Sequence, residues 1–279
     1  MDGVSARFTG PPATAARPRP DPRVKSRTYR LRRIHRWLGL FIGIQFVLWT
    51  IGGLYFSWIA LEDVHGDHLL KPPGRMPAGA AVVAPATVLA AVGMREPVDS
   101  LVSLDLANVA GRPTYRISYL TSQNGRTESR RVLADGATGA VRGPVTRDEA
   151  VAIATTGFSG SAPVTAVEYL KPDDVGRHHE YREQPLPAWA VTFGDTEGAT
   201  LYVPVDLGQV QRVRNNRWRV FDFLWMLHTM DYKGRDNFNN MVLRAFSVLG
   251  LITVSSGLLL FVVTSRPYRR RQSARVHRG

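Results

Sequence analysis

The side chains best suited to bind metal or move protons near neutrality are seven histidines, His35, His65, His68, His178, His179, His228 and His277, in a chain of 279 residues without cysteine. Imidazole is the commonest metal ligand and titrates within the physiological range. With no thiol, disulfides, Cys-ligated zinc, iron–sulfur clusters and thiol nucleophiles are excluded. His178 and His179 are adjacent in GRHHEYREQPLP; neighbouring side chains on a regular element point to different sides, so they read as part of an exposed loop. His277 stands in an arginine-rich tail and reads as solvated. No hydrolase constellation, glycine-rich phosphate loop or nucleophile elbow is evident, so catalytic residues stay unassigned and no metal-ion site is expected. His35 and His228 remain, one just ahead of an apolar run and the other inside an aromatic stretch, with His65 and His68 just after that run.

Those runs are the elements that must position them. Leu38–Leu61 has 24 residues without a charged side chain, and Ala245–Thr264 has another 20. About 20 apolar residues cross a bilayer core of about 30 Å. A cleaved signal core has about 7–15 apolar residues and ends at a small-x-small site; the first run is longer and SWIALEDV offers no such site. The sequence predicts transmembrane helices over 30–62 and 242–265, and an interfacial aromatic helix over 218–232.

The charge is +13, from 36 Lys and Arg against 23 Asp and Glu, but ten of the bases lie in residues 1–36 and six in 266–278. The body between them holds 20 bases and 21 acids. A nucleic-acid-binding domain carries its charge on a folded face, so no nucleic acid is expected as partner; the tails instead favour a lipid bilayer. Seven bases in residues 23–36 against Lys71 and Arg75 in 62–80 place the amino terminus in the cytoplasm by the positive-inside rule. Six arginines after the second run place the carboxyl terminus there too. Residues 62–244 are expected outside the inner membrane of a bacterial cell, largely periplasmic. The proline-rich segment 1–29 reads as a disordered basic cytoplasmic tail, and 266–279 as a second basic tail.

The body reads as a duplication. Helical Pro85–Val92 precedes strand-like Ser100–Leu106, Thr114–Leu120 and Arg130–Leu133 and closes on Asp135–Val141; helical Asp148–Thr156 precedes Val164–Leu170, Trp189–Phe193 and Leu201–Val205 and closes on Asp206–Val210. Each copy has a helix capped by Thr or Asp, then strands of alternating polarity joined by turn formers such as Gln123-Asn124-Gly125. The expected fold is α+β: two transmembrane helices flanking a tandem of small units, 79–142 and 146–214, each an antiparallel sheet with one helix across a face. The closing segments look like a final strand and its turn, where glycine permits φ > 0.

The two units resemble PepSY domains, and HRWLGLFIGIQFVLWTIGGLYFSW (His35–Trp58) with FDFLWMLHTMDYKGRDNFNN (Phe221–Asn240) resembles the PepSY-associated transmembrane (PepSY-TM) family. The likeness covers roughly Arg32 to Phe261. Larger members of that family have more spans than these two, and some are similar to ferric-siderophore reductases that bind haem b through histidine pairs. The resemblance thus implies cofactor-binding roles for His35 and His228, which occupy the span-flanking positions HRWLGL and LHTMDYKG.

On this topology His35 lies near the cytoplasmic interface and His228 near the opposite one, a membrane thickness apart, too far to share one iron. A homodimer about an axis along the membrane normal brings His35 to its mate at one face and His228 to its mate at the other. The intrachain alternative pairs His228 with His65 or His68. The bland readings are an interfacial His35 and a His228 that caps its helix or pairs with Asp231. Arg217, Trp218 and Arg219 are candidates to clasp an anion such as a haem propionate or a lipid phosphate. Two functions follow: a haem-bearing electron-transfer or ferric-siderophore reductase-like subunit, and a non-catalytic PepSY module that binds or regulates a periplasmic protein.

Overall fold

The computed structural model describes residues 22–123 and 125–264. The carboxyl tail with His277, the first 21 residues of the amino tail, and Asn124 of the expected hairpin turn lie outside them. The chain divides into two compact units, one holding α1 (Pro22–Trp58) as far as Phe46 together with the chain from Ala245, the other Val47–Arg244. Helix α1 begins at Pro22 rather than at residue 30, because Lys and Arg are good helix formers and nothing between Arg23 and Arg36 breaks the helix. Its stretch Arg32–Trp58 is long and apolar enough to cross a membrane.

In the second unit a short helix α2 (Leu61–His65) turns at Gly66 into a single 3-10 turn, Asp67–Leu69. Then come α3 (Pro85–Gly93) and strands β1 (Ser100–Val109), β2 (Arg112–Gln123), β3 (Arg126–Asp135) and β4 (Val141–Arg142), an antiparallel sheet in sequence order. The pattern repeats with α4 (Arg147–Gly157), β5 (Val164–Leu170), β6 (Ala188–Phe193), β7 (Thr200–Pro204) and β8 (Arg212–Arg214), again antiparallel and in order. The architecture is α+β with two four-stranded sheets, each preceded by a helix. Alternation in TYRISYL puts Tyr115, Ile117 and Tyr119 on the face buried with Val88 and Val92 of α3. In the second copy Phe158 and Phe193 stack at 4.1 Å inside a core with Val191, Leu201 and Val203.

The two copies start differently. Thr146 caps α4 in a reciprocal capping box with Glu149, whereas α3 has Ala84 at its cap position, no side-chain cap, and Pro85 in its first turn. The closing segments are turns more than strands: β4 is two residues long, and β8 begins only at Arg212, beyond Asp206–Val210. Gly139 (φ 75°) and Gly208 (φ 61°) hold the expected left-handed positions. A Cβ on Gly208 would stand 2.8 Å from Val109, so the second turn packs directly on the first sheet.

The segment following α1 bypasses the first copy. Leu69 is buried in the second core, Leu70 bridges to Phe158, and Lys71 N–H donates to Gly157 O at 2.7 Å. From β8 the chain passes into α5 (Asn216–Thr229) and later α6 (Met241–Thr264), whose stretch Met241–Val262 is also long and apolar enough to cross a membrane. The apolar stretches of α1 and α6 are 17% and 6% buried, whereas a core helix of a water-soluble domain is mostly covered.

Candidate functional site

His35 sits in the first unit, on α1, with its Nδ1 2.7 Å from Ser256 Oγ of α6. The Ser256 hydroxyl hydrogen is already directed to Thr253 O at 2.8 Å. A hydroxyl has one hydrogen, so a Ser256 that donates to Thr253 O can accept from His35 Nδ1, and in that neutral tautomer Nε2 is the acceptor nitrogen. Gly257 lies beside that edge of the ring: a Cβ there would stand 3.3 Å from Cε1 and 3.8 Å from Nε2. An imidazole anchored through one nitrogen and bare at the other is the usual arrangement of a ligating histidine.

His228 belongs to the second unit, in the last turn of α5. That helix starts where Asn215 accepts from Trp218 N–H at 2.7 Å and donates its own amide to Asp63 O at 2.9 Å. The ring of His228 lies parallel to Trp225 at 6.0 Å, with Trp49 at 5.7 Å and Phe56 at 6.0 Å. Its Nδ1 is buried with no hydrogen-bond partner among the described residues. The chain then reverses at Met230, buried and at φ 54°. Asp231 is not the partner of His228: its carboxylate accepts from the backbone N–H groups of Lys233, Gly234 and Asn237, which hold its pKa below the ordinary value.

His65 is exposed, and His68 lies 3.1 Å from Glu197 Oε2 and 3.7 Å from Asp63 Oδ1. Asp63 also pairs with Arg217 at 2.9 Å, in the first turn of α5. From there to His228 the helix rises about 16 Å at 1.5 Å per residue, so the structure does not bring His228 to His68. His178 Nε2 meets Tyr232 O, while His179 Nδ1 accepts from Tyr181 N–H. Among the described residues no set of three or more His, Asp or Glu is placed to hold a metal ion.

Between α5 and the loop 175–187 lies an ion network. Arg182 bridges Asp222 at 2.7 Å and Asp236 at 2.9 Å, and Arg235 joins Asp222 from the loop after α5. Glu180 receives two nitrogens of Arg219, at 2.7 and 3.0 Å, and the Tyr202 hydroxyl. Burial pushes the Glu180 pKa up, but these donors outweigh it and the carboxyl is held low. Arg217 and Arg219 are therefore each committed to a carboxylate, and Trp218 is buried with the guanidinium of Arg214 4.0 Å from its ring centroid. Asp222 was overlooked from sequence, although a lone acid in NRWRVFDFLWML signals a buried ion pair, since Asp is almost never buried alone.

No family model, curated protein or solved structure matches the chain.

Proposed function

We propose that the chain is a PepSY-TM-like inner-membrane protein anchored by α1 and α6, with both termini cytoplasmic and a periplasmic tandem of PepSY-like units. In this reading His35 and His228 would each hold a b-type haem together with the same residue of a second chain. The observation that carries it is His35, with Nδ1 2.7 Å from Ser256 Oγ and Nε2 beside the side-chain-free Gly257. The aromatic surround and orphan Nδ1 of His228 fit the same role, although among the described residues none anchors that nitrogen as Ser256 anchors His35. A bound haem b would supply one-electron chemistry, suited to reducing a ferric compound on the periplasmic side. The protein's own part is to fix the imidazole tautomer and to wall the site with rings.

The full chain, expressed with adequate haem and purified in detergent, is expected to show a Soret band that weakens in His35→Ala and in Gly257→Leu, which fills the space beside Nε2. Absence of the band in the wild type would remove the cofactor from the reading. The alternative, a haem-free module that binds a periplasmic protein, draws on one feature: β1 is an edge strand that exposes Leu101 and Val102, a form suited to strand addition. A protein of that kind shows no Soret band.

A further inference from the structure

Strand β8 is three residues long, and alternation puts Arg212 and Arg214 on one side with Val213 turned into the core. Both arginines line a cavity of about 340 Å³ together with His65, Gln184, Gln211 and Trp218. Their neighbours Arg217 and Arg219 each hold a carboxylate, yet among the described residues neither Arg212 nor Arg214 has an acidic partner within ion-pair distance. Arg214 is half-buried; its Nε donates to Glu180 O at 2.9 Å, a backbone oxygen with no net charge. The Glu180 carboxylate is already taken by Arg219 and Tyr202. Asp67 is the single acid on the cavity wall.

Two cations side by side in a recess, neither of them in an ion pair, repel each other and lose hydration. Both effects act on Arg214: burial first and then Arg212 lower its pKa to about 10, against the opposing pull of the Glu180 carboxylate. The fork of Arg214 is nonetheless held in one orientation by its stack on Trp218. Planar guanidinium forks match the oxygens of carboxylates and phosphates, and the amides of Gln184 and Gln211 add neutral donors. The volume lies in the range of small-molecule sites.

We propose that this cavity binds an oxyanion, the carboxylate or phosphate of a small ligand, between Arg212 and Arg214. The proposal goes beyond the haem reading and does not depend on it.

The test uses the full chain in zwitterionic detergent, with thermal unfolding and calorimetric titration against citrate, inorganic phosphate, and chloride at matched ionic strength. A parallel arm compares nanodiscs of phosphatidylcholine with nanodiscs containing phosphatidylglycerol, without added anion. Saturable stabilisation by citrate or phosphate beyond chloride supports a free ligand. Stabilisation confined to phosphatidylglycerol supports the same site taking a lipid headgroup. Arg212→Ala, at an exposed position, is expected to fold with an unliganded Tm at least equal to wild type and to weaken the anion about tenfold or more, as for loss of one charge-assisted fork. An equal response in Arg212→Ala and wild type, or no response to any of these anions and lipids, overturns it.

Discussion

Asp222 holds two guanidiniums, those of Arg182 and Arg235, from a position in α5 where only 3% of its surface is exposed. Removing one member of a buried ion pair leaves its partner's charge uncompensated, at a cost of about 3–5 kcal/mol; here Arg235 loses its carboxylate while Arg182 keeps Asp236. Asp222→Ala is therefore expected to lower stability by that amount in denaturant unfolding of the detergent-solubilised chain, and a loss below 1 kcal/mol would show the network to be solvent-screened. At this scale the sequence was half legible. His35 and His228 stand out by their flanks, but Ser256 lies 221 residues from His35, and no local pattern announces so distant a contact. Arg217 and Arg219 looked available for an anion because their carboxylates, Asp63 and Glu180, come from other segments; Arg212 and Arg214, the pair left without acids, carried no local signal.

Helices α3 and α4 occupy equivalent places yet are started by different means. In α4 the Thr146 hydroxyl accepts from Glu149 N–H, and the Glu149 carboxylate returns to Thr146 N–H at 3.0 Å while meeting Arg142. Thr146→Ala removes half of that box and is expected to cost about 1 kcal/mol, within the usual 0.5–2 for a helix cap; the change in unfolding free energy measures it, and no change would mean that Glu149 and Arg142 hold the turn alone. Element order and strand type were legible, since two-residue alternation marks a half-buried strand. The bulge in β1 between Leu101 and Ser103 was not, nor was the displacement of β8 beyond Asp206–Val210. Both depend on how a strand pairs with its neighbour, which its own residues do not encode.

Across the whole molecule, acid should loosen the second unit. Asp135, Glu149, Glu180 and Asp231 all have pKa values lowered by hydrogen bonds or arginines that outweigh burial. A folded pKa below the unfolded one gives stability that is complete above the unfolded value, about 4 for carboxylates, and is lost as pH falls through the folded value. Asp206 runs the other way: burial raises its pKa despite Arg131, so it opposes folding at neutral pH and relents on acidification. Four groups against one predict an unfolding midpoint that is steady near neutrality and drops below about pH 4; a midpoint that rises there would reverse the balance. The two apolar helices and the duplicated body were legible at this scale because each rests on runs of many residues. The docking of residues 61–71 onto the second copy was not, since nothing in LEDVHGDHLLK distinguishes one sheet as its destination.

That docking sets an order of events during synthesis. Leu70 finds its partner only at Phe158, so the stretch after α1 must wait while the whole first copy is made. At the usual 5–20 residues per second, the delay is roughly 4–18 s. Through that interval the first copy can close its own sheet from contiguous chain, while Leu69 and Leu70 stay exposed as greasy bait for a chaperone, or for the wrong sheet.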